Sequence, residues 1–172
     1  MRNQMQPSDI QFYYKTNNYN KMNDFFSNHG LRNHEIQLLL ALFGVNNGNK
    51  VDIHTNDGSD KREISRTVFS KAVAEMERDF GLITIVDSYK EPYLDVLNKK
   101  AFLKNANKGK YLDLPNVSTF YGYFLGGIEP LESVVGAYGN QESDIFDSIL
   151  EYLDDNEDII NSVANKVKTV EL

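Results

Sequence analysis

Lys61-Arg62-Glu63-Ile64-Ser65-Arg66-Thr67-Val68-Phe69-Ser70-Lys71-Ala72-Val73-Ala74-Glu75-Met76-Glu77-Arg78-Asp79 is the stretch on which the fold turns. At about 100° per residue its side chains sort onto two sides of a helix. Val68, Phe69, Ala72, Val73 and Met76, joined by Phe80, fall in one arc, and Arg66, Thr67, Ser70, Lys71, Ala74 and Arg78 fall in the opposite one. The spacing predicts a helix from about Lys61 to Asp79, with Gly81 just past its end. One side belongs in a core, and the other offers hydroxyls and cations.

On the C-terminal side, Leu82-Ile83-Thr84-Ile85-Val86 and Tyr93-Leu94-Asp95-Val96-Leu97 read as two strands. Asp87-Ser88-Tyr89-Lys90-Glu91-Pro92 joins them as a short polar hairpin tip. On the N-terminal side, Asn33 is a favoured N-cap, and Ile36, Leu39, Leu40 and Phe43 have helical spacing before Gly44 closes the element. Between the two helices Lys50-Val51-Asp52-Ile53-His54 alternates as a short strand does, and Thr55 to Asp60 is a polar loop. Farther out, Tyr19 to Asn28 forms a helix with Met22, Phe25 and Phe26 inward, stopping at Gly30.

Helix, strand, loop, helix and two-stranded hairpin, in that order, make a winged helix-turn-helix. The expected class is therefore α+β. The winged-helix domain takes residues 31–110, preceded by an N-terminal extension over 1–30 that holds an additional helix. An aromatic and glycine-containing connecting segment (111–142) and an acidic, amphipathic C-terminal helix (143–172) follow. In such a module the polar face of the later helix enters the major groove of double-stranded DNA and the hairpin tip touches the backbone. Arg66 would reach guanine O6 and N7 or a phosphate; Lys71 and Arg78, with Lys61 and Arg62 at the start of the helix, would neutralise phosphates. Ser65, Thr67 and Ser70 are short enough to let the helix approach base edges, and Tyr89 and Lys90 would stand at the wing tip.

The run from Glu63 to Glu77, followed by Gly81-Leu82-Ile83, resembles the "ISRxTVSKAlxeLEekGLI" recognition-helix pattern of bacterial winged-helix proteins, including repressors of the MarR kind. Tyr93 to Lys104 resembles the "YxlNPxxFfKG" closing strand of RepL-type replication initiators of Gram-positive plasmids and phages. Phe12-Tyr13-Tyr14-Lys15 and the helix from Glu35 to Phe43 fit the same layout. The resemblance implies sequence-specific DNA binding in replication initiation or transcriptional control, often as a dimer and with no active site. His54 to Asp60 occupies the place where that family carries an amphipathic helix. Either that helix is reduced to a turn, or the helix assigned to recognition begins earlier and plays a different part.

Charge is unevenly distributed. The net charge of −7 divides into +1 over residues 1–29, +2 over 30–111 and −10 over 112–172, so the acidity lies in the last third and spares the DNA-facing segment. Lys99 to Lys110 carries five lysines and reads as a solvated connection rather than a phosphate-contacting edge. Phe120, Tyr121, Tyr123 and Phe124 read as core or interface rather than as base-stacking groups.

The chain has no cysteine, which removes disulfides and thiolate chemistry together. His29, His34 and His54 are scattered, and Asp154, Asp155, Glu157 and Asp158 lack the spacing and central glycine of a calcium loop. No glycine-rich phosphate loop or nucleophile elbow occurs. No enzyme activity, metal or cofactor is expected. The opening residues hold no apolar leader and no run of 18 apolar residues follows, so the expected location is the cytoplasm.

From about Ser143 to Val170, Phe146, Ile149, Leu153, Asn156, Ile160, Val163 and Val167 alternate steps of three and four, a heptad-like seam with one polar interruption. It packs on its own domain or pairs with a second copy; Asn156 favours a homodimer, and the acidic outer face suits a basic protein partner. The competing class is thus a non-enzymatic protein-interaction module on a degenerate winged-helix scaffold, such as a phage inhibitor or assembly component.

Overall fold

A computed structural model describes residues 11–13, 16–52, 61–63, 72–103 and 114–137, together with Asp147 and Ile149. Its architecture is helical: α1 (Thr16–Asn28), α2 (Asn33–Asn46), α3 (Val73–Asp87), α4 (Tyr93–Val96) running into a π-helical turn (Leu97–Ala101), α5 (Pro115–Gly126) and α6 (Ile128–Ala137). A pair of three-residue strands, β1 (Gln11–Tyr13) and β2 (Lys61–Glu63), runs antiparallel with Phe12 opposite Arg62. The α+β winged helix is not formed.

Three corrections carry that result. Lys61 to Glu63, expected to open the recognition helix, is strand, and the described helix that holds the end of the stretch from Lys61 to Asp79 is Val73–Asp87. Leu82 to Val86, expected as the first wing strand, continues α3 to Asp87. Their β-branched side chains favour a strand locally, but Met76, Phe80 and Ile83 recur at steps of four and three and are all buried, so one apolar stripe runs through the helix. Gly81, read as a stop, lies inside α3, where an added Cβ would meet the Phe102 ring at 2.1 Å. Tyr93 to Leu97, expected as the second strand, is α4 and the start of the π turn. Lys99 reaches back four residues to Asp95 at 2.6 Å, a pairing that suits a helical turn, and Lys100 reaches Glu91 ahead of α4.

The two readings of 93–97 part at Leu94 and Val96, which share a face in a strand. Here Leu94 is 52% exposed and Val96 only 2%. Leu94→Ser should shift stability by less than about 0.5 kcal/mol, whereas Val96→Ala should cost about 2 kcal/mol through lost burial and a small cavity. Urea denaturation of the two variants measures this; equal losses would speak for a strand.

The helices foreseen near the N-terminus are present. Met22 and Phe26 of α1 are buried, Phe25 is half-buried against the Phe26 edge, and Gly30 follows at φ +89°. At the start of α2 the Glu35 carboxylate accepts the Arg32 backbone N–H (2.7 Å) and pairs with its guanidinium (2.6 Å), which lowers the Glu35 pKa to about 2. Gly44 does not end α2, which runs on to Asn46. Lys50 and Val51 are not strand; the Val51 N–H donates to the Gly122 carbonyl of α5.

The centre of the molecule is α5. Pro115 occupies its first turn, where a missing N–H costs nothing, and Val117, Phe120, Tyr121 and Phe124 are buried between α2 and α3. Phe80 meets Phe120 and Tyr121 with ring centroids 5.1 and 5.8 Å apart. Residues read as a connecting segment thus form the heart of the core. The Asn116 amide donates to the carbonyls of Ala101 and Leu103, tying the end of the π turn to α5. Ile149, 5% exposed, joins the same core.

Candidate functional site

Of the residues expected to contact DNA, Ser65, Arg66, Thr67, Ser70 and Lys71 lie outside the described residues. Lys61 and Arg62 sit on β2. Arg78 is on α3, its guanidinium turned to the buried Asp79 (Nη2–Oδ1 3.1 Å). Tyr89 and Lys90 follow α3 in a turn, with the Lys90 ammonium 5.3 Å from the centre of the Tyr89 ring. Among the described residues, Tyr89 and Lys90 are the expected DNA contacts seen to touch each other. Of the seam, Phe146, Leu153, Asn156, Ile160, Val163 and Val167 lie outside the described residues, and Ile149 is buried within its own chain.

Five of the described cations are paired with carboxylates. Arg32 pairs with Glu35, Lys50 with Asp87, Arg78 with Asp79, Lys99 with Asp95 and Lys100 with Glu91. Each would have to leave a carboxylate to meet a phosphate, which weakens the counterion exchange that drives nucleic-acid binding.

Two polar clusters lie between helices. The first joins the end of α3 to α5 and the chain after α2. The Lys50 ammonium stands 3.1 Å from Asp87 Oδ2 and 3.2 Å from the Thr119 hydroxyl, and lies over the Tyr123 ring. The Tyr123 hydroxyl donates to Asp87 Oδ1 at 2.6 Å. Burial, reinforced by that hydrogen bond to a carboxylate, raises the Tyr123 pKa, so the phenol stays neutral and serves as a donor. Lys50 also offsets the unfavourable placing of an acid at the C-terminal end of α3. Beside the cluster is an open groove of about 270 Å³ lined by Lys50, Val51, Asp52 and Ser118. With its ammonium and phenol already committed, the cluster is a tie between elements and supplies no free nucleophile or base.

The second cluster lies where α2 meets α3. Asp79 is fully buried and His34 and Gln37 nearly so; Gln37 Oε1 accepts from the Tyr121 hydroxyl at 3.3 Å. Asp79 had a readable signal: on the helical wheel it falls beside Met76 and Ile83, in the apolar arc. An acid in such an arc marks a buried charge.

At the surface, Leu82 is 45% and Phe102 44% exposed, and the Phe102 ring covers Gly81, the neighbour of Leu82. Among the described residues no group of three His, Cys, Asp or Glu is placed to hold a metal ion, and no helix is long and apolar enough to cross a membrane. Comparison with protein-family models, with curated proteins and with solved structures finds no match to this chain.

Proposed function

We propose that this protein is a non-enzymatic protein-interaction module of the cytoplasm whose partner presents a basic surface. The observation that carries the reading is the charge balance. Five described cations, Arg32, Lys50, Arg78, Lys99 and Lys100, are paired with carboxylates, while residues 112–172 carry a net charge of −10. That acidic excess steers basic partners and repels polyanions. Exposed Leu82, Leu94 and Phe102 add apolar area that a protein contact buries.

DNA binding through Arg66 and Lys71 is the rival reading, and a salt series separates the two. The full chain should give no shift of duplex DNA even at low ionic strength, because the acidic excess of residues 112–172 opposes a polyanion. In parallel, affinity capture should retain basic proteins that are lost when Asp154→Asn, Asp155→Asn, Glu157→Gln and Asp158→Asn are combined. A DNA shift that weakens steeply with salt and disappears in Arg66→Ala/Lys71→Ala would overturn the proposal.

A further inference from the structure

Residues 47–52 leave α2 and cross α5 while each stays exposed. Polar bonds to the backbone of α5 hold them there. The Val51 N–H donates to the Gly122 carbonyl at 3.0 Å, and the Asn49 side-chain amide donates to the Gly126 carbonyl at 3.0 Å. The second bond answers a gap in the helical ladder. Helix α5 ends at Gly126 and α6 starts at Ile128, so the usual donor to the Gly126 carbonyl would be residue 130, a proline without an N–H. Glycine permits so close a path, since a Cβ on Gly122 or Gly126 would press on the carbonyl oxygen of Val51 or Asn49. Lys50, between these two, carries the anchor to α3: its ammonium stands 3.1 Å from Asp87 Oδ2 and 3.2 Å from the Thr119 hydroxyl.

We infer that residues 49–51 form a strap that swings open about Gly48 while the rest of the fold stays intact, with the Lys50–Asp87 ion pair as its latch and ionic strength as the signal that loosens it. The strap buries little apolar area: Val51, its one large apolar side chain, is 40% exposed. Segments held by exposed hydrogen bonds and few apolar contacts are the first to open. The hinge has room, because Gly48 sits at φ +60° with nothing within 4 Å of where a Cβ would stand. The latch is open to salt, since the Lys50 and Asp87 side chains are 40% and 26% exposed. Its acceptor stays in place when the strap leaves, because the Tyr123 hydroxyl holds Asp87 Oδ1 at 2.6 Å. Opening bares the Gly122–Gly126 side of α5 and widens the groove that Lys50, Val51, Asp52 and Ser118 line.

Native-state amide hydrogen exchange on the full chain, corrected for intrinsic rates, is the test. The Val51 amide should be less protected than the Tyr121 amide inside α5. Low urea should speed Tyr121 and leave Val51 nearly unchanged, because an opening strap exposes little new surface. Potassium chloride should speed Val51 by about two- to fivefold, the worth of a partly exposed ion pair. Lys50→Met should remove that salt response. Asn49→Ala leaves the latch in place, so it should speed Val51 by about two- to tenfold and keep the response. A Val51 amide that follows Tyr121 in urea would show that the segment opens only with the whole fold and would overturn the strap. A salt response undiminished in Lys50→Met would overturn the latch. The urea series on the natural chain decides even where a variant does not fold.

Discussion

Gly44→Val is expected to abolish cooperative folding. Helices α2 and α5 cross at backbone contact there: a Cβ on Gly44 would stand 2.0 Å from the Tyr123 carbonyl oxygen and 2.7 Å from its carbon. No rotamer relieves a clash with backbone, so the helices must separate, and Gly127, whose Cβ would lie 1.8 Å from the Leu40 carbonyl oxygen, keeps them from sliding past each other. Overpacking of a core costs about 1–3 kcal/mol when side chains can yield and more when they cannot. A loss above about 3 kcal/mol removes much of the stability of an ordinary domain. Gly48→Ala is the control, since nothing lies within 4 Å of its Cβ and its φ of +60° adds only about 1 kcal/mol of left-handed strain. Thermal melts by circular dichroism should show a normal transition for Gly48→Ala and none for Gly44→Val. A Gly44→Val protein melting near the natural chain would mean that α2 and α5 do not cross here.

Phe80→Ala should be the most damaging truncation within α3, at about 3–5 kcal/mol. Its ring is 1% exposed and meets both Phe120 and Tyr121, so removing it opens a cavity where α3 rests on α5. Tyr121 cannot move in to fill the space without giving up its hydrogen bond to Gln37. Phe102→Ala removes a ring of the same size that is already 44% exposed, and should cost less than about 1.5 kcal/mol. Denaturant midpoints at constant slope measure the difference. Comparable losses at the two positions would show that Phe80 is not at the centre of the core.

The period of the apolar residues was informative wherever it ran long. Ile36, Leu40 and Phe43, and again Met76 and Phe80, lie on the buried stripes of α2 and α3 at their helical spacing, and Met22 with Phe26 does so in α1. Short β-branched runs were not informative. Ile83-Thr84-Ile85-Val86 reads as strand because local preference counts only the residue and its neighbours, whereas the helix is selected by Phe120 and Tyr121 far along the chain. Glycines misled for a related reason. Gly44 and Gly81 were read as helix stops, yet they are the positions where Tyr123 and Phe102 come closest. The polar clusters were the least legible, since Lys50, Asp87 and Tyr123 are 36 and 37 residues apart along the chain where they bond.

By itself the sequence determined which faces of α1 and α2 are apolar and that Met76 and Phe80 of α3 face the core, though Val73 of the same arc is 38% exposed; it also determined that the acid is concentrated in the last third and that thiol chemistry is absent. Those are properties of composition and of period, and they do not depend on what packs against them. The tertiary structure alone decided that residues 82–87 and 93–97 are helical, that α5 is the centre rather than a connection, and that Lys50 meets Asp87. Each of these follows from contacts between distant segments, where burying apolar area and pairing charge outweigh the few tenths of a kcal/mol by which one residue prefers strand to helix.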